Sequence, residues 1–131
     1  MGLSERRMSA FASRMPRIYT KVGRVVLPYE ECKDSPSLDT QNIPGVNSIF
    51  TETKDMACVW DFSRTGIEKS FAQSCSRLAT NDIYGLRVHD CEMDERVAQL
   101  LDPAIGGIWL LREWRQSGKI KVRCTAINRS F

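Results

Sequence analysis

Ile83-Tyr84-Gly85-Leu86-Arg87-Val88-His89-Asp90 is the stretch on which the reading of this chain turns. Six residues rich in strand formers stop at a polar pair, the pattern of a short strand with a polar carboxyl end. His89 is the single histidine in the chain. In α/β proteins with parallel strands, the loops at the carboxyl ends of the strands carry the chemistry, and the strands fill the core. The position of His89 is therefore that of an active-site residue. Ile18-Tyr19-Thr20-Lys21 repeats the pattern, a short run closed by a lysine and followed by the turn signal Val22-Gly23-Arg24.

Working outward, apolar period and caps divide the chain into alternating elements. Leu3, Met8 and Phe11 predict a helix over residues 3–14, followed by a strand at 17–21. Residues 22–60 carry Pro28, Pro36, Pro44 and Gly45 without a sustained period and are expected to be a long loop, with a short strand at Val25-Val26-Leu27. Asp61, Ser63 or Thr65 can cap a second helix, whose stripe is Ile67, Phe71, Cys75 and Leu78. The strand 83–88 follows. A helix then starts at Asp94-Glu95 and runs through Val97, Leu100 and Leu101 to Pro103. Gly106-Gly107 opens another helix, which carries Ile108, Leu111 and Trp114 and ends at Gly118. A final strand runs from Ile120 to Ile127 and ends at Asn128. This order implies a single α/β domain over residues 1–131 with about three parallel strands and helical crossovers.

The bulk numbers agree with that class. The chain has 131 residues, 42% hydrophobic and 27% charged, with a net charge of +3, an ordinary globular balance. The apolar stretches are only a few residues long, so no membrane span is expected. Residues 1–25 carry Arg6, Arg7, Arg14, Arg17, Lys21 and Arg24 against Glu5, and the last twenty residues are similarly basic. These bases lie around helical faces without interleaved aromatics, so nucleic-acid binding is not expected. The first seventeen residues share a transit peptide's excess of arginine and serine. Five scattered cysteines with no CxxC pair point to reduced thiols and a cytoplasmic setting, and with one histidine no metal site is expected.

Each candidate residue has more than one use. A strand-end lysine can lower the pKa of a neighbouring acid, attack a carbonyl, or remain a solvated cation. His89 can orient a substrate oxygen, transfer a proton, or be satisfied by Asp90. Asn128 can recognise a carboxamide or form a turn. Cys91 is flanked by Asp90 and Glu92, which raise a thiol pKa and leave it a spectator. Gly106-Gly107 can seat an anion or act as a joint between helices.

Four stretches resemble the aldo-keto reductases, in the aldose-dehydrogenase branch that includes D-threo-aldose, L-galactose and pyridoxal dehydrogenases. Gly2-Leu3-Ser4-Glu5-Arg6-Arg7 is similar to the segment after that family's catalytic tyrosine. Tyr19-Thr20-Lys21-Val22-Gly23-Arg24 resembles its S/T-K-V-G-R strand end. Trp60-Asp61-Phe62-Ser63-Arg64-Thr65-Gly66-Ile67-Glu68-Lys69-Ser70-Phe71 resembles its D-F/Y-S-x-D-G-x-x-x-S-L/F helix start. Val88-His89-Asp90 and the run from Gly118 to Asn128 complete the order.

The resemblance implies a (β/α)8 TIM barrel that transfers hydride between NAD(P) and an aldose or other carbonyl or hydroxyl substrate. It gives Lys21 the role of tuning a tyrosine, His89 that of orienting the substrate oxygen, and Asn128 that of contacting the cofactor. Met1 stands where the tyrosine belongs, and the catalytic aspartate has no counterpart. The expectation is a partial, unclosed barrel, inactive alone and open to self-association through its sheet edges. The alternatives are a non-enzymatic α/β fragment stable only with a partner chain, and a small independent enzyme using Lys21 or Cys91.

Overall fold

The computed structural model describes residues 3–15, 17–46 and 55–125. Their elements in chain order are α1 (Leu3–Ser9), a 3-10 turn (Ala12–Arg14), β1 (Tyr19–Val22), β2 (Arg24–Pro28), α2 (Tyr29–Cys32), β3 (Met56–Trp60), α3 (Arg64–Leu78), β4 (Gly85–Val88), α4 (Asp94–Leu101), α5 (Gly107–Gln116) and β5 (Val122–Thr125). The fold is α/β. Strands β1, β4 and β5 form a parallel sheet in that order, and β2 and β3 form a separate antiparallel pair. Among the described residues no barrel closes, and no helix is long and apolar enough to cross a membrane.

The parallel register places Tyr19 beside Gly85 and Val122, Lys21 beside Arg87, and Val22 beside Val88. Side chains alternate across a strand, so one face carries Val22, Leu86 and Val88. These three are buried with Ile67, Phe71 and Leu78 of α3 and Ile108, Leu111 and Trp114 of α5. The Phe71 and Trp114 rings join the two helices, with centroids 4.7 Å apart. Tyr19, Lys21 and Arg87 alternate with the buried set and are exposed. Parallel sheets are ordinarily covered on both faces. Among the described residues the helices cover one.

The short strand expected at Val25-Val26-Leu27 is found as β2, and the rest of the long loop expected over 22–60 is corrected by β3, which pairs with it. Arg24 lies opposite Trp60 and Pro28 opposite Met56. The pairing joins strands separated by a long excursion, so no local turn signal announces it, and apolar residues on both faces of Met56–Trp60 hide the period of two. Gly23 (φ 95) turns β1 into β2, and a Cβ there would come within 2.6 Å of the Phe62 ring. Its N–H donates to the Ser70 hydroxyl of α3, and its carbonyl accepts from Asp61 N.

The helix expected over 3–14 ends at Ser9 and gives way to the 3-10 turn. The stripe that suggested a longer helix is not a buried one, since Phe11 is 56% exposed and α1 buries no residue. Polar contacts dock α1 instead. Glu5 accepts from the Thr20 hydroxyl of β1 and from Arg77 Nε of α3.

Candidate functional site

The parallel pairing of β1 and β4 carries two of the expected site residues to one end of the sheet. Lys21 is the penultimate residue of β1, and His89 directly follows β4, where its N–H donates to Val22 O at 2.9 Å. Both residues border a cavity of about 290 Å³ with Thr20, Arg24, Cys58 and Arg77. Among the described residues Lys21 has no ion-pair partner.

His89 is mostly enclosed. Burial holds its pKa below the ordinary 6.5, the Asp90 carboxylate pulls it back up, and the Lys21 and Arg24 cations push it down again. The ring is therefore neutral at pH 7. Its Nδ1 lies 2.9 Å from Asp90 Oδ2 but off the line of a ring N–H, which makes the contact electrostatic rather than a well-directed hydrogen bond. The edge of the imidazole meets the Trp60 ring, with centroids 5.6 Å apart and planes at 68°.

The surroundings of Trp60 hold residues that sequence reasoning missed. The Arg24 guanidinium lies 4.8 Å from the Trp60 centroid and that of Arg96 3.8 Å, the latter a close cation–π contact. Arg24 is paired with buried Asp39, which also accepts from Asn42 Nδ2 and Gln41 N. Arg96 Nη1 donates to the carbonyl of Asp90 at 2.7 Å. Asp90, Trp60 and Arg96 border a second cavity of about 820 Å³, walled on its other side by Ser37, Asp39 and Gln41. Trp60 could have been singled out as a strand-end aromatic next to the Asp61-Phe62-Ser63 run. No comparable signal marks Arg96, which reads as an ordinary helix-surface cation.

The remaining candidates divide. Asn128 lies outside the described residues. Cys91 is fully buried, and burial followed by the charge of Glu92 raises its pKa, as a spectator thiol requires. Cys58 lines the first cavity, but burial pushes its thiol to about 11. It is not a thiolate at neutral pH. The N–H groups of Gly106 and Gly107 are bonded to the carbonyls of Asp102 and Phe62, so this glycine pair joins helices rather than seating an anion.

No family model matches the chain, and no solved structure matches it. It is 35% identical over 126 residues to a D-threo-aldose 1-dehydrogenase from a Pseudomonas species, an alignment that takes in 92% of this chain and 35% of the relative. The chain thus spans about a third of the length of that relative.

Proposed function

We propose that this chain is part of an aldo-keto reductase-like oxidoreductase of the aldose-dehydrogenase branch, in which a completed (β/α)8 barrel exchanges hydride between NAD(P) and an aldose. The observation that carries the reading is the meeting of Lys21 and His89 in one cavity at the carboxyl ends of adjacent parallel strands. The similarity to an aldose dehydrogenase supports the substrate class. In this role neutral His89 orients the substrate oxygen, and Lys21 supplies a fixed positive charge beside it.

The cavity that Lys21 and His89 share is too small to enclose a dinucleotide. The cavity beside His89 is about 290 Å³, the bottom of the range that holds small ligands, and the N–H groups of Gly106 and Gly107 are already bonded. The chain alone is therefore expected to be inactive. Its completed form requires further strands along the open edges of β1 and β5.

A chimera tests this. Residues 3–125 replace the aligned segment of the aldose dehydrogenase relative, and aldose-dependent reduction of NAD(P) is followed. Turnover that is lost on Lys21→Met or His89→Gln supports the reading. A folded chimera that binds NAD(P)H without any turnover overturns it, and turnover by the unaided 131-residue chain, abolished by Lys21→Met, overturns the claim of inactivity.

A further inference from the structure

The two ring nitrogens of His89 sit in different surroundings. Nδ1 is closed to water, and the polar atom within hydrogen-bonding distance of it is Asp90 Oδ2 at 2.9 Å. The carboxylate lies off the in-plane axis that an N–H bond and a lone pair share, but its negative charge is 2.9 Å from Nδ1 and favours the proton of the neutral ring on that nearer nitrogen. The side chain keeps 19% of its surface exposed. That exposure lies on side-chain atoms other than Nδ1, and His89 borders the cavity shared with Lys21.

Asp90 is itself held in place. Its φ of 43° is in the left-handed region, which aspartate tolerates better than most residues. Its carbonyl accepts from Arg96 Nη1, and the same guanidinium lies over Trp60, whose ring meets the imidazole edge-on. One arginine of α4 thus braces both the residue beside Nδ1 and the aromatic wall against the ring.

We infer that Asp90 and Arg96 are positioning residues that hold His89 as its Nδ1–H tautomer and leave Nε2 as a hydrogen-bond acceptor for a substrate hydroxyl. This rests on the reading that His89 borders the substrate oxygen. An acceptor nitrogen suits an alcohol, which brings its own hydrogen, whereas a carbonyl oxygen would set lone pair against lone pair. The ligand class favoured in the ground state is the sugar hydroxyl, the form to be oxidised. The charged groups around the ring are Lys21 from β1, Arg24 from β2, Asp90 beside it, Arg96 behind Trp60, and the Glu5–Arg77 pair on the cavity wall. The nearby cations Lys21 and Arg24 oppose a second proton on the imidazole.

A single histidine makes the test direct. Long-range 1H–15N NMR on the 131-residue chain, at a pH above the imidazole titration, reads one ring and reports which nitrogen carries the proton. The expected result is the Nδ1–H pattern. Asp90→Gly retains the left-handed backbone and removes the carboxylate, and it reverses the pattern to Nε2–H. Asp90→Asn, a milder change, yields a mixture between the two. Arg96→Gln lowers the Nδ1–H fraction with Asp90 still present. A wild-type Nε2–H ring, or an Asp90→Gly ring that matches wild type, overturns the inference, and an unchanged tautomer ratio in Arg96→Gln overturns the role of Arg96. The readout needs no turnover, so its failure is distinguishable from failure of the aldose reading, which the chimera tests.

Discussion

Arg24 and Asp39 hold the entrance to the hairpin-like pair with an ion pair whose side chains are 13% and 4% exposed. Removing one partner from such a pair leaves the other charged and poorly hydrated, which costs far more than the net worth of the pair. Arg24→Met is expected to lower stability by about 3 kcal/mol, read from urea unfolding, because Asp39 retains only the bonds from Gln41 and Asn42. His89 makes the opposite kind of contribution. Its native pKa lies below the ordinary 6.5, so the unfolded chain binds more protons in that window and stability falls as pH drops. The contribution is complete above the ordinary value and is lost as pH falls through it toward the depressed native one. Thermal melts of wild type and His89→Gln should therefore converge as the buffer is taken from about pH 8 to about pH 5, with the wild type losing stability the more steeply. The shared placement of Lys21 and His89 at one end of the sheet was legible because each falls at the carboxyl end of a strand-forming run. Trp60 and Arg96 were not, because their importance lies in contacts across elements that no sequence spacing encodes.

At the scale of elements, α3 shows what capping chemistry decides and what it leaves open. Asp61, Ser63 and Thr65 were equal candidates for its N-cap, and the structure selects Ser63, whose hydroxyl accepts from Gly66 N at 3.2 Å. Asp61 takes a supporting part, its Oδ1 accepting from both the N–H and the hydroxyl of Ser63. Gly66 is there for space, since a Cβ would come within 2.2 Å of Asp61 Cγ and 2.4 Å of its carbonyl oxygen. Ser63→Ala is expected to cost about 1 kcal/mol. Gly66→Ala should cost more despite alanine's better helix propensity, because the backbone oxygen of Asp61 has nowhere to move. An equilibrium unfolding series that ranks the two the other way would show that the capping loop yields more readily than its contacts suggest. The periodic helices α3, α4 and α5 were legible to within a few residues. Strand β2 was anticipated at Val25-Val26-Leu27, but β3 and its pairing with β2 were not, because their register is set by contacts between segments distant in sequence, and α1 was overextended because Met8 and Phe11 imitate a core stripe without being covered.

For the molecule as a whole, the decisive fact is a parallel sheet that, among the described residues, carries helices on one face only. Tyr19 and Val122 are 45% and 38% exposed on the other face, with Gly85 between them in the register, and Lys21 and Arg87 stand side by side in the next row of that face. Among the described residues β1 and β5 are each paired on one edge alone. An unpaired strand edge presents backbone donors and acceptors ready to bond another chain, and the apolar residues beside it add to the attraction. The exposed cations work against that attraction by mutual repulsion, more strongly at low salt than at high salt. The isolated chain is therefore expected to self-associate with rising concentration, and more so in high salt, as followed by sedimentation velocity. Val122→Lys places a further charge on the outer strand and should shift the distribution toward monomer with little change in melting temperature, since the residue it replaces packs against no covering helix on that face. A chain that remains monomeric at all concentrations and salts, and melts cooperatively, would mean that the open sheet is tolerated in water and that no partner strand is needed for the fold.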